Sequence, residues 1–257
     1  PPPPHDHAEL QALVFETALR AYVEDCQAGA QWPLKGDTDA GMRQIRSLLD
    51  AAKANPLPTD SGRSVTQTLG FYGVAVTLYN DQSWPVLTQA LTEAFEEGTG
   101  NGLLYLADFY NDRNADGTYS SNSSEAFRAV NCLDGRQDDD PAAMQAQLER
   151  LEKEAPTMGY FFAFGGLTCE GWAYPVVDQE FDLAAEGAAP ILVIGTTNDP
   201  ATPYVWAEGL ADTLDSAVLV TWEGEGHTAY GRANDCLSDA VDAYLVDGTV
   251  PEDGLRC

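Results

Sequence analysis

Basic side chains are scarce in this sequence of 257 residues. It has 13 lysines and arginines against 41 aspartates and glutamates, and its formal net charge is −28. Such a surface repels phosphate groups, so we expect neither a nucleic acid nor an anionic membrane surface as a partner. The sequence also lacks any run of about 18 apolar residues, so no membrane-spanning helix is predicted. Its 44% hydrophobic residues are nevertheless typical of a folded protein with a core.

The five cysteines, at positions 26, 132, 169, 236 and 257, form no C-x-x-C pair, so no zinc site is expected. Cys236 and Cys257 bracket the last predicted helix and the tail, a spacing that would allow a disulfide to hold the C-terminus. Cys132 and Cys169 could form a second disulfide, which would leave Cys26 unpaired or joined to a partner outside the chain. Reduced, buried thiols in a cytosolic protein are the alternative. We favour an oxidised, secreted protein, because the terminal Cys257 would otherwise have little to hold it.

Residues 9–185 are predicted to be mostly helical. Apolar residues recur there about every 3.6 residues, and the intervening loops are short, as between packed antiparallel helices. The predicted helices span residues 9–28, 39–54, 66–79, 86–96, 102–110, 124–130 and 141–154. Residues 1–8 contain four consecutive prolines and are interpreted as a linker, a cloning scar or a processed end. His5 and His7 lie in this segment without a further ligand nearby, so no metal site is expected there.

The pattern of the sequence changes at residue 186. Two short apolar runs, 190–195 and 217–222, alternate with predicted helices over 202–214 and 234–246. The first of these helices is expected to begin at a capping Thr202 followed by Pro203. Runs of this kind are typical of parallel strands that are covered on both faces. Residues 186–257 are therefore predicted to be the C-terminal part of a doubly wound α/β sheet. Because a sheet of two strands would be marginally stable, we expect its remaining strands to lie in residues outside this chain.

Each predicted strand ends near a residue suited to acid–base catalysis. Asp199 follows the first strand and His227 the second, and chemistry in open α/β sheets gathers beyond the carboxyl ends of the strands. Their order is that of the last two members of a Ser–Asp–His triad, in which the aspartate orients the histidine that moves the serine proton. The alternative is that Asp199 only caps a turn and that His227 is an ordinary loop residue. No G-x-S-x-G motif occurs, so we expect the nucleophilic serine elsewhere.

A family resemblance is carried by three segments near the C-terminus: PILVIGTTNDPATPY, GEGHTAYG and CLSDAVDAYLVDGTVPEDGLRC. They resemble the C-terminal domain of the secreted bacterial tripeptidyl-aminopeptidase-like α/β-hydrolases, relatives of the prolyl aminopeptidases. FETALRAYVEDC, SSEAFRAVNCLDG and the segment Cys169–Trp172 resemble the helical lid of the same family.

This resemblance implies an α/β-hydrolase fold in which residues 9–185 form the lid and residues 186–257 carry the catalytic acid and base. Asp199 would be the triad acid, His227 the general base, and a Cys236–Cys257 disulfide and export from the cell would be expected. The N-terminal half of such enzymes, with its G-x-S-x-G motif and oxyanion hole, has no counterpart in this sequence.

The implied function is that of the lid and C-terminal catalytic segment of a secreted serine exopeptidase that releases short peptides from N-termini. The partners would be a peptide substrate and the missing N-terminal half, without which the chain is expected to be inactive; no cofactor is expected. Glu125 is the candidate for binding the substrate ammonium, since related aminopeptidases use a lid carboxylate. An exposed charge that favours a helix N-terminus is the alternative reading of Glu125. An esterase or lipase of the same fold is an alternative function.

Residues 112–118 match the first half of a calcium-binding loop. The bidentate glutamate expected at the twelfth position is replaced by Ser123. We therefore interpret this segment as a polar turn between helices. A non-catalytic acidic binding protein derived from a hydrolase, with or without calcium bound at this segment, is a further alternative function.

Overall fold

The computed structural model describes residues 4–29, 33–135, 140–176 and 183–257. The chain divides into two compact units: a helical unit, Pro2–Asp178, and an α/β unit, Gln179–Cys257. The domain boundaries drawn from the sequence pattern stay predictions. Among the described residues, no helix is both long and apolar enough to cross a bilayer.

The helical unit has seven α-helices among its described residues. They are α1 (Pro4–Ala28), α2 (Thr38–Ala54), α3 (Gln67–Thr77), α4 (Trp84–Glu96), α5 (Asn101–Tyr110), α6 (Ser123–Asp134) and α7 (Pro141–Glu154). A short antiparallel pair, β1 (Leu57–Pro58) and β2 (Ser64–Val65), lies between α2 and α3.

Capping residues explain where several of these helices begin. Asp37, Thr66 and Asp140 accept backbone N–H groups from the first turns of α2, α3 and α7, and such caps satisfy donors that have no partner within the helix. The helix α1 begins at Pro4 rather than at the predicted Glu9. Proline has no N–H to satisfy and is tolerated in the first helical turn, so it does not prevent this earlier start.

Glu93 on α4 provides the cap of α5. Its Oε1 accepts the N–H of Asn101 at 2.8 Å and the hydroxyl of Thr99 at 2.6 Å, and its Oε2 accepts the N–H of Gly102 at 2.9 Å. Burial, the largest single influence, acts to raise the pKa of this carboxyl, but the hydrogen bonds together outweigh it and hold the pKa below its ordinary value. The cap thereby fixes the turn between α4 and α5.

The core of the helical unit is centred on α3. The ring of Phe71 stacks on Phe161 with centroids 4.2 Å apart. Gly73 allows α3 and α5 to approach closely, because a Cβ at this position would lie 2.6 Å from the carbonyl oxygen of Leu103. Glu16, only 6% exposed, accepts the N–H groups of the two residues 157 and 158 at 3.0 and 2.8 Å, which ties α1 to the segment after α7.

Both disulfides predicted from the sequence are present. Cys132 on α6 is joined to Cys169, with 5.5 Å between their Cα atoms. Cys236 on the last helix is joined to the terminal Cys257, with 5.7 Å between Cα atoms. Cys26 is a buried thiol, as the predicted pairing requires.

The α/β unit contains a parallel sheet in the order β3–β4–β5. Its elements are β3 (Ile191–Asn198), α8 (Tyr204–Thr213), β4 (Ala217–Glu225), α9 (Asp235–Asp247) and β5 (Leu255–Arg256). The parallel pairing of the two predicted strands is confirmed. The strand β5 was not predicted, because two residues are too few to show a strand pattern. Of the described residues, none pairs with the outer edge of β3.

Helices cover both faces of this sheet. Leu237 and Val241 of α9 pack against Val220 of β4. The hydroxyls of Tyr204, on α8, and of the next β4 residue, Thr221, are 2.6 Å apart. Successive strand residues point to opposite faces, so α8 and α9 lie on opposite sides of β4.

Candidate active site

Asp199 follows β3 directly and is 4% exposed. Its Oδ1 accepts the N–H groups of Ala201 and Thr202, each at 2.8 Å, and its Oδ2 accepts the Thr202 hydroxyl at 2.9 Å. An aspartate that binds the backbone two residues ahead stabilises a tight turn. The chain is therefore turned from β3 towards α8 by Asp199 itself.

His227 lies just beyond β4, between two residues with positive φ. Gly226 has φ +96° and Thr228 has φ +64°. The N–H of Gly226 donates to the carbonyl oxygen of Asn198 at 3.2 Å, which holds the end of β4 beside the end of β3. The imidazole Nδ1 then lies 2.9 Å from Oδ2 and 3.1 Å from Oδ1 of Asp199.

The Asp199 carboxylate is kept ionised by its surroundings. Burial, the largest single influence, acts to raise its pKa. The hydrogen bonds from His227, Thr202 and Ala201 together outweigh burial, so the pKa stays below its ordinary value. The His227 side chain is 34% exposed, whereas the carboxylate is 5% exposed. A buried anion thus holds a histidine that is open to a reacting group.

Thr202 is a site residue that the sequence pattern misassigned. The Thr202–Pro203 pair predicted a helix capped by threonine, but α8 begins at Tyr204 without a side-chain cap. The hydroxyl of Thr202 instead donates to Asp199 Oδ2 and lies 3.3 Å from His227 Nδ1. The carboxylate is the stronger acceptor because it is charged.

A cavity of about 270 Å³ opens beside this pair within the α/β unit. Its wall combines β3 residues with the apolar face of α8, and it includes Asp199, Thr202, Trp206, Leu210, His227 and Thr228. The Asp–His pair therefore borders a space large enough for a few non-hydrogen atoms of another group.

Glu125, the candidate ammonium ligand, lies in the helical unit. It is exposed in the first turn of α6, beside Phe127, which is 71% exposed. Its assignment stays a prediction.

The carboxylates of the calcium-like loop bind neighbouring hydroxyls. Asp112 Oδ2 accepts the hydroxyls of Ser121 and Ser123, and Asp116 Oδ1 accepts the hydroxyl of Thr118 at 2.7 Å. These hydrogen bonds lower the pKa of both aspartates. Over residues 4–29, 33–135, 140–176 and 183–257, no three His, Cys, Asp or Glu side chains are grouped to hold a metal ion.

A parallel sheet with helices on both faces, and an aspartate and histidine in contact beyond adjacent strands, is the arrangement of an α/β-hydrolase. Residues 155–257 match the family described as TAP-like protein. This match, together with relatives named serine protease Hip1 and tripeptidyl aminopeptidase, supports a TAP-like family of α/β-hydrolases for this chain.

Three relatives illustrate the range of the family. Carboxylesterase B of Mycobacterium tuberculosis is 35% identical over 257 residues, which cover 99% of this chain and 49% of that protein. Serine protease Hip1 of the same species is 33% identical over 261 residues, which cover 97% of this chain and 50% of that protein. Tripeptidyl aminopeptidase of Streptomyces lividans is 26% identical over 227 residues, which cover 86% of this chain and 41% of that protein. All three relatives carry the names of hydrolases. The chain spans about half the length of the curated relatives it matches.

Proposed function

We propose that this chain supplies the lid and two catalytic residues of a secreted serine exopeptidase that releases short peptides from N-termini. The observation that carries the proposal is the contact of His227 Nδ1 with both carboxylate oxygens of Asp199, at 2.9 and 3.1 Å. With Nδ1 bound in this way, the other ring nitrogen, Nε2, is directed away from the carboxylate. Nε2 is the atom that exchanges a proton with serine in a triad.

The proposed reaction proceeds through an acyl-enzyme. His227 Nε2 accepts the serine proton as the serine oxygen attacks the peptide carbonyl carbon, and then gives that proton to the leaving amine. In the second half, His227 takes a proton from the water that attacks the acyl carbon, and then gives that proton to the serine oxygen as the acyl group leaves. Asp199 stabilises the imidazolium in both halves. The serine and the oxyanion donors come from residues outside this chain, which contains no G-x-S-x-G.

The peptidase class is supported by the names of two relatives, serine protease Hip1 and tripeptidyl aminopeptidase. Export is supported by the two disulfides, which form and persist in oxidising compartments. In this proposal Glu125 binds the substrate ammonium, and the N-terminal half of the enzyme is the partner of this chain.

Activity-based labelling tests the proposal. Full-length protein should react with a fluorophosphonate probe and cleave tripeptidyl anilides, and His227→Ala should abolish turnover. The chain alone should not label. Absence of labelling in folded full-length protein would contradict the proposal.

The Glu125 assignment needs a separate measurement. Glu125→Gln should raise KM for peptidyl anilides up to about fivefold without changing kcat, because an exposed ion pair contributes at most about 1 kcal/mol. Glu149→Gln, an exposed carboxylate on α7, is the matched control. Equal KM values for the two variants would exclude Glu125 as the ammonium ligand.

A carboxylesterase is the second candidate, favoured by the name of the 35% identical relative. The same Asp–His pair serves ester hydrolysis. Efficient cleavage of p-nitrophenyl esters without any cleavage of aminoacyl or peptidyl anilides would select this candidate.

A further inference from the structure

Arg232 spans the loop that carries His227. Its Nε donates to the carbonyl oxygen of Thr228 at 2.7 Å, and its Nη2 donates to the carbonyl oxygen of Glu225 at 2.8 Å. These carbonyls stand on either side of Gly226 and His227. One planar guanidinium therefore closes the loop across the histidine, a geometry for which its fixed donors are suited.

The same guanidinium is anchored to β4. Its Cζ lies 5.0 Å from the ring centroid of Trp222, within the range of a cation–π interaction. Trp222 packs against the buried residues of the sheet core. Arg232 thus connects the loop to a side chain that the core holds in place.

The loop requires such a connection because its backbone is unusual. Thr228 has φ +64°, a conformation that β-branched residues rarely adopt. Conformations of this kind persist only where the surroundings determine them, and they cluster at functional sites. The carbonyl that Arg232 Nε binds belongs to Thr228 itself.

We infer that Arg232 is a positioning residue, which holds this loop so that His227 Nδ1 stays on the Asp199 carboxylate. The catalytic consequence rests on the proposed function, whereas the structural consequence does not. No pattern in the sequence predicts this role, because it depends on contacts that only the folded loop makes.

Imidazole spectroscopy tests the structural consequence in full-length protein labelled with ¹⁵N at histidine. His227→Gln identifies the His227 signals by their loss. Arg232→Met, which keeps an apolar stem on Trp222 and removes the donors, should shift or broaden the His227 Nδ1 signal. Arg256→Met is the matched control, because Arg256 lies in the same unit, binds the exposed Glu223 at 2.7 Å and carries the same charge.

Kinetics test the catalytic consequence. Arg232→Met should lower kcat about 10- to 100-fold, as expected when a catalytic group is misplaced by about 1 Å, and should change KM less than about threefold. Arg232→Lys should give an intermediate kcat, because lysine keeps the cation but cannot bridge two carbonyls with a rigid fork. Arg256→Met should keep the kcat of the unmodified enzyme.

Unchanged His227 signals in Arg232→Met, or an equal change in Arg256→Met, would overturn the inference. If Arg232→Met does not fold, Arg232→Lys decides by the same signals: a displaced Nδ1 signal supports the role and an unchanged one overturns it. If the His227 signals are displaced in Arg232→Met but the unmodified full-length protein hydrolyses no substrate, the proposed function is contradicted and the positioning role stands. If Arg232→Met keeps full activity and unchanged His227 signals, the positioning role is contradicted and the proposed function stands.

Discussion

At the scale of single residues, Asp199 combines two roles that the sequence presented as alternatives. It closes the turn after β3 through the N–H groups of Ala201 and Thr202, and it binds His227 through the same carboxylate. The two N–H groups of the turn fix the orientation of the carboxylate by binding Oδ1. In this orientation Oδ2 contacts Nδ1 of His227 beyond the end of β4, so the turn helps to position the carboxylate for the histidine.

Replacing Asp199 by asparagine should remove the ionic partner of His227 and keep the turn, because an amide oxygen can still accept the two N–H groups. We expect kcat of the full-length enzyme to fall about 10⁴-fold, since the histidine then takes the wrong tautomer. Asp212→Asn, an exposed residue on α8, is the control. A loss of less than about tenfold in Asp199→Asn would argue against the triad role.

The hydroxyl of Thr202 donates to Asp199 Oδ2 at 2.9 Å, and a hydrogen bond to the ionised form of a carboxyl favours that form. A carboxyl whose pKa is lower in the folded state adds stability above its unfolded pKa and loses it as the pH falls through the folded pKa. Thr202→Val should therefore destabilise the protein at pH 7 and have less effect near pH 2, as measured by urea unfolding at both values. Thr213→Val, whose hydroxyl binds only within α8, should show no such pH dependence. Equal pH dependence in both variants would exclude the effect.

At the scale of helices, α5 depends on a cap from its neighbour. Glu93→Ala should lower the free energy of unfolding by about 1–2 kcal/mol, the usual cost of losing an N-terminal cap. Glu96→Ala, on the exposed side of α4, should lower the free energy of unfolding far less. Urea unfolding monitored by circular dichroism measures both variants, and equal losses would show that Glu93 does not stabilise α5.

Two glycines in helices should respond in opposite ways to alanine. Gly73→Ala should destabilise the helical unit by about 1–3 kcal/mol, because the new methyl group would overlap the Leu103 carbonyl. Gly209→Ala on α8 meets no atom within 4 Å and should stabilise its helix by about 0.5–1 kcal/mol. Thermal unfolding of the two variants measures the difference. A stabilising Gly73→Ala would contradict the close approach of α3 and α5.

At the scale of the whole molecule, the charge of −28 should oppose folding. Self-repulsion destabilises the compact state and is screened by salt. Raising the NaCl concentration from about 0.02 M to about 0.5 M, where the Debye length falls to a few ångströms, should therefore increase Tm at pH 7. The increase should be much smaller near the sequence pI of about 4.1. A salt effect of equal size at both pH values would rule out self-repulsion as its cause.

The sequence by itself determined the kinds of element and the positions of Asp199 and His227 after two successive strands. Helical periodicity indicated the helices of residues 9–154, and continuous apolar runs indicated β3 and β4. The spacing of the cysteines favoured the two disulfides that the structure contains. The helix and strand signals are local, because each one depends on residues within a few turns or within one strand, whereas the paired cysteines are 37 and 21 residues apart.

Only the tertiary structure decided how distant residues meet. It placed His227 Nδ1 on Asp199, moved the Thr202 hydroxyl from a helix cap to the carboxylate, and closed the loop with Arg232. It also paired β5 with β4, and a strand of two residues is too short for the sequence to predict. Such contacts form where the packed sheet brings separate loops together. The spacing of residues along the chain does not determine the distance in space between side chains on those loops.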